Sequence, residues 1–206
     1  IKTLPRYENA AQGILEGLER ESEKMNYVEP IRDKTTVQDI ADYLKEVHGK
    51  YYIMYMIGIY SGLRVSDILK LKVRDVRDKT DIKLREKKTG KEKLFPVNAE
   101  LSKAIAAYCQ DKKDYDYLVP SARVRNKAVS REYAYRVIHE AGVHFGLDNL
   151  GTHTMRKTFG YHFYLQTKDI VLLMRIFNHN DQSKTLRYIG IEQSTINDAM
   201  KRFSYK

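Results

Sequence analysis

The sequence predicts a mainly α fold carrying one small antiparallel β-sheet, and three observations lead there. Apolar residues recur at intervals of three and four through most of the chain, one short stretch alternates apolar with charged residues, and no apolar run is long enough to cross a bilayer. The longest such run, residues 51–60, is already broken by Gly58. A chain of 206 residues makes one generous domain, or a domain with an appendage, and buries a sufficient core without covalent staples. Its one cysteine, Cys109, can neither close an internal disulfide nor form a Cys-x-x-Cys zinc pair. A reducing cytoplasm is the expected compartment, with no membrane involved.

The elements follow in order. Ala10, Ala11, Ile14, Leu15 and Leu18 form a narrow helical stripe that runs into the charge-dense residues 19–24. Residues 1–30 therefore read as a helical extension or linker, closed by Pro30, and the main domain as residues 31–206. The chain opens on Ile1 rather than methionine, so further upstream sequence is expected. Thr35 or Thr36 is positioned to cap a helix whose Val37, Ile40, Ala41, Leu44 and Val47 share one face. Residues 51–60 are apolar nearly all round, as a fully buried helix requires, and Ser61-Gly62 breaks it before a further helix over 65–71.

Residues 81–87 alternate, with Ile82 and Leu84 on one face, and pair across Thr89-Gly90 with residues 94–97 as a short basic hairpin. Helical periodicity returns over 99–108. Residues 111–116 and 120–127 read as loops, and Ser130 caps a helix reaching about His144. The remainder is helical in pieces: 153–165, 169–177, 184–188, and a last helix striped by Ile196, Ala199, Met200 and Phe203.

Lysine and arginine number 37 against 27 acids, a net charge of +10 that points to a polyanionic partner. There is no phosphate-cradling glycine loop, dinucleotide fingerprint, His-Glu-x-x-His or nucleophile elbow. Nucleotide hydrolysis, hydride transfer, zinc proteolysis and serine hydrolysis therefore lose support. His153 and Arg156, three apart, share the face of a helix that begins there, where unpaired backbone N–H groups also favour an anion. His179 follows an apolar helix, behind an Asn178 suited to the left-handed turn that ends it. Arg64 follows the most buried segment, a poor place for a merely solvating charge. Lys88 stands just before the hairpin's Thr89-Gly90, where it reaches outward from a rigid pair of strands. Tyr188 is one of 16 tyrosines and is singled out only by standing nine residues after His179.

In this order Arg64, Lys88, His153-x-x-Arg156, His179 and Tyr188 resemble the catalytic domain of the tyrosine recombinase, or phage integrase, family over roughly residues 31–206. The matching boxes are Ser61-Gly-Leu-Arg-Val-Ser-Asp-Ile-Leu-Lys-Leu71, the hairpin lysine, Thr152-His-Thr-Met-Arg-Lys-Thr-Phe159, and Asn178-His179 with its following tyrosine. Each box alone is weak, whereas the ordered set is specific. The resemblance implies a helical catalytic fold with one small sheet and an enzyme that exchanges strands of double-stranded DNA through a transient 3′-phosphotyrosine, with no metal, nucleotide or other cofactor. A site-specific recombinase of a mobile element or prophage is the expected identity. A type IB topoisomerase-like swivelling enzyme and a catalytically vestigial DNA-binding module are the rivals.

Within that resemblance Arg64 and Arg156 present planar forks to the scissile phosphate, and Tyr188 attacks. Lys88 protonates the departing 5′ oxygen, His153 is the phenol's base and His179 a donor to the phosphate, the two histidine roles being exchangeable. Neighbouring cations are expected to ease formation of the phenolate. Lys87, Lys91, Lys93, Arg123, Arg125 and Lys127 are expected on the DNA backbone. His48, His139, His144 and His162 read as structural or solvent-facing. Three features depart from the family. Asp67 stands where glutamate is commoner, in a supporting role; Phe177-Asn178-His179 replaces the usual Leu-Gly-His; and the residues before Pro30 are too few for the family's N-terminal DNA clamp. The implied assembly is a tetramer on paired sites and a monomer without DNA, with the last helix docking on a neighbour.

Overall fold

In the computed structural model, residues 28–86, 90–191 and 200–204 are described. The helix expected near residues 10–18 lies outside them, as does most of the last predicted helix, of which residues 200–202 are helical.

Helix α1 (Lys34–Val47) is capped by Asp33, whose carboxylate accepts from the Thr36 amide at 2.7 Å. The expected caps, Thr35 and Thr36, fall inside the first turn, because a carboxylate one step upstream takes the orphan N–H and the Thr36 hydroxyl together. Ile40, Ala41 and Leu44 are buried. Helix α2 (Gly49–Ser61) is buried along most of its length, matching its all-round apolar sequence. It ends at Gly62, held at φ 63° in the left-handed region that glycine enters without a Cβ penalty.

Helix α3 (Val65–Ile68) is a single turn, shorter than the predicted 65–71. The Leu71 amide closes back on the Ile68 carbonyl, and the Leu71 carbonyl is taken by the Leu118 amide at 2.8 Å, a non-local pairing that ends the helix. A 3₁₀ turn (Val73–Asp75) leads to strands β1 (Asp81–Arg85) and β2 (Glu92–Pro96), an antiparallel pair with Ile82 opposite Phe95 and Leu84 opposite Lys93. Ile82 and Phe95 turn toward the core, as the alternation requires. Helix α4 (Ala99–Cys109), capped by Asn98, and α5 (Arg131–His144), capped by Ser130, flank a loop pinned by the bridges Lys72 to Tyr117 and Pro120 to Ala128.

Helix α6 (Thr152–Thr167) crosses α2 so closely that a Cβ at Gly58 would stand 2.7 Å from Met155 Cβ. Helices α7 (Ile170–Phe177) and α8 (Gln182–Tyr188) are capped by Asp169 and Asp181. The main core gathers α1 to α6 and the hairpin, while Leu173, Phe177, Ile189 and Ile191 form a second, smaller core with α7 and α8. Among the described residues no helix is long and apolar enough to cross a membrane.

Candidate active site

The site lies where the two cores meet. Arg64 stands in extended backbone between the left-handed Gly62 and α3, so its side chain leaves the main core at the edge of the hairpin. Its Nη1 donates to Glu86 Oε1 at 3.1 Å. Arg156, early on α6, is only 2% exposed. Its Nη1 donates to the Gly62 carbonyl and its Nη2 to the Phe177 carbonyl at 3.0 Å, with the guanidinium 4.0 Å over the Phe177 ring. Because Gly62 is two residues from Arg64, the two guanidinium groups converge, close enough for mutual repulsion to be felt at Arg156. Two carbonyls, an aromatic face and the Tyr188 hydroxyl meet its donors, and the Glu86 carboxylate acts on its charge from nearby.

Tyr188, the last residue of α8, is half-buried beside this pair. Its ring meets those of Phe177 and His179 edge-on, with centroids 5.7 and 5.4 Å away, and Lys157 Nζ lies 5.3 Å from its centroid. The Tyr188 hydroxyl comes within 3.5 Å of His153 Nδ1, one turn before Arg156 on the exposed side of α6. Burial lifts the Tyr188 phenol above its usual range, against the pull of Arg156 and Arg64. The expected easing of the phenolate by cations is therefore present but outweighed by desolvation.

His179 follows Asn178, which takes the left-handed conformation expected of it, φ 53° and ψ 46°. His179 Nδ1 lies 3.1 Å from Thr185 Oγ1, and that hydroxyl spends its own proton on the Asp181 carbonyl. Thr185 is thus an acceptor toward the ring, so Nδ1 carries a hydrogen and Nε2 can donate only when the ring is protonated.

Lys87 and Lys88, on the hairpin connection, lie outside the described residues. Lys91 is exposed there, but Lys93 turns inward: its side chain is 14% exposed and its Nζ contacts Glu86 and the Ile176 carbonyl. Burial and Arg156 hold the Lys93 amine below its usual range. Arg123, Arg125 and Lys127 are exposed on one loop. Lys50, Arg123, Lys127 and Tyr133 line a groove of about 440 Å³ beneath that loop. Asp67 is buried on α3 and pairs with Lys70 at 3.6 Å.

Five of the six predicted catalytic residues are described, and all five come together. The sequence reading missed Glu86, whose only local signal is that it is the one acid in the run Arg85-Glu86-Lys87-Lys88. Lys157 stands inside the Thr152–Phe159 box, but the sequence reading gives it no role.

The phage integrase family model matches residues 32–194 of this chain. The probable integrase/recombinase YoeC of Bacillus subtilis (strain 168) is 45% identical over 179 residues, spanning 87% of this chain and 98% of that protein. Tyrosine recombinase XerA of Pyrococcus horikoshii is 27% identical over 199 residues, spanning 91% of this chain and 68% of that one. The solved structure of XerH site-specific recombinase bound to its palindromic difH substrate, a post-cleavage complex, superposes with a TM-score of 0.64 at 15% identity. That match covers 86% of this chain and 54% of XerH, and it shows a shared fold.

Proposed function

The chain belongs to the phage integrase family and is a site-specific tyrosine recombinase; from that premise we propose that it cuts and rejoins double-stranded DNA through Tyr188. The observation that carries this reading is the approach of the Tyr188 hydroxyl to His153 Nδ1 at 3.5 Å, beside the converging Arg64 and Arg156. Residues 31–206 form the catalytic domain, and residues 1–30 an extension leading into it.

Cleavage follows from the groups present. The Tyr188 oxygen attacks phosphorus as His153 removes its proton; a phenol is already protonated at neutral pH, and burial makes the base the more necessary. Arg64 and Arg156 stabilise the non-bridging oxygens as negative charge accumulates on them, each such contact being worth about 3 kcal/mol in a dry site. Protonated His179 donates to the same phosphate through Nε2. The bond to the 5′ oxygen breaks, and Lys88 supplies the proton to that leaving group. The 3′-phosphotyrosyl bond keeps the energy of the broken linkage, so the 5′-hydroxyl of another strand reseals it without a nucleotide.

DNA is the partner this chemistry requires, and its backbone is gripped by Lys87, Lys91, Arg123, Arg125 and Lys127. Met200 and Phe203 are 72% and 68% exposed, a fit for a tail that docks on a neighbouring copy in a tetramer on paired sites.

The test is a duplex nicked beside the cleavage point, so that the cut strand diffuses away and the adduct is trapped. Wild-type protein gives a covalent band on a denaturing gel. Tyr188→Phe gives none, with DNA affinity changed less than about threefold, under 1 kcal/mol. An adduct formed by the Phe variant would move the nucleophile elsewhere.

A further inference from the structure

Glu86 sits inside the site, beside Arg64. Its side chain is 1% exposed, and three segments converge on it. Arg64 Nη1 lies 3.1 Å from Oε1, Lys93 Nζ 3.4 Å from the same oxygen, and Asn178 Nδ2 2.9 Å from Oε2. The hairpin fixes where this carboxylate stands: the Glu86 amide donates to the Lys91 carbonyl at 3.0 Å, and its carbonyl accepts from Gly90 at 2.9 Å. A carboxylate this deep is costly to bury unless its oxygens are met, and Arg64 and Asn178 meet one each.

What converges on Glu86 is the scaffold of the phosphate site. Arg64 uses Nη1 on the carboxylate, which orients the fork while leaving Nη2 and Nε for a phosphate. Asn178 occupies the left-handed position at the end of α7 and leads directly into His179. Glycine would suit those dihedrals equally well but has no side chain to reach Glu86. The residue that departs from the family's usual Leu-Gly-His is thus the one that ties the histidine's turn to the arginine's partner. Glu86 also sits among Arg64, Lys93 and Arg156, cations that would otherwise repel one another in a partly dry space.

Resting on the reading of Arg64 and His179 as phosphate ligands, we propose that Glu86 is a positioning residue: it holds the Arg64 fork and the Asn178 turn in one frame, so that both ligands meet the same phosphate. Through Arg64 and Asn178 it acts on the groups that meet the phosphate. Its removal should slow the chemical step more than it weakens DNA binding, because DNA affinity comes mainly from the surrounding basic surface.

The test measures single-turnover adduct formation on the nicked duplex at saturating DNA, together with the Kd. Glu86→Gln, nearly the same shape without the charge, is expected to slow adduct formation about 10- to 100-fold while the Kd moves less than about threefold. Asn178→Gly keeps the turn and removes only its tie, and is expected to slow the reaction about 3- to 10-fold, adding little to the slowing by Glu86→Gln in the double variant. A duplex with sulfur as the bridging 5′ atom, whose leaving group needs no proton, should not rescue either variant. Rescue by sulfur would overturn the proposal by assigning Glu86 to leaving-group protonation. So would a wild-type or faster rate in Glu86→Gln, or additive slowing in the double variant. Tyr188→Phe is run alongside: its adduct signal tests the recombinase reading separately. Should Glu86→Gln fail to fold by thermal unfolding, Asn178→Gly alone decides, and a wild-type rate there overturns the proposal.

Discussion

Two charged residues of the site solve burial differently. Arg156 donates to backbone carbonyls and lies against an aromatic face, with Glu86 acting on its charge only from nearby, whereas Arg64 is ion-paired with that carboxylate and shares it with Lys93. A half-buried titratable group, His162, lies on the face of α6 turned to Ile31. Its Nε2 is 2.9 Å from the Ile31 carbonyl, and burial holds the ring below its usual pKa, with Lys34 pushing the same way and Asp33 opposing. The unfolded chain therefore takes up this proton first as pH falls below about 6.5. Stability is lost from there downward until the folded-state pKa is passed. Urea unfolding at about pH 7.5 and about pH 5.5 should show a larger fall in midpoint for wild type than for His162→Gln, which keeps a donor but does not titrate. Equal falls would assign the acid sensitivity to other groups.

At the level of elements, Gly160 decides how close α6 comes to the end of the helix bearing Tyr188. A Cβ there would stand 2.7 Å from Ile189 Cγ2 and 2.8 Å from the Phe177 ring. Gly160→Ala gains about 1 kcal/mol in helix propensity but overpacks a filled contact at a cost of about 1–3 kcal/mol. We expect a net loss of up to about 2 kcal/mol in urea unfolding, with a larger proportional loss in adduct formation because Ile189 is next to Tyr188. The helices were legible because each announces itself locally: α2 by apolar residues all round, α5 by Ser130, α7 by its dense apolar run. Asp33 was passed over because Thr35 and Thr36 are equally good cap types two and three places on. The early end of α3 was illegible because it depends on Leu71 pairing with Leu118, 47 positions away. Glu86 escaped for the same reason, its partners standing 22, 7 and 92 positions off. The candidate residues were found by order and spacing, but which histidine faces the phenol required coordinates.

For the whole molecule, the net charge of +10 predicts binding that weakens steeply with salt. Replacing Arg123, Arg125 and Lys127 by alanine should flatten the slope of log K against log salt by about 2 to 3, if each meets a phosphate. The adduct rate at saturating DNA should stay near wild type, since the groups around Tyr188 are Arg156, His153, Lys157, Phe177 and His179. An unchanged slope would place the DNA on another face. Assembly order has its own consequence. Arg64 and Tyr188 are 124 positions apart, and Arg156 is anchored at both Gly62 and Phe177. A ribosome must therefore translate past Tyr188 before this cluster can close, and a protease cut anywhere between Arg64 and Tyr188 leaves them on separate pieces.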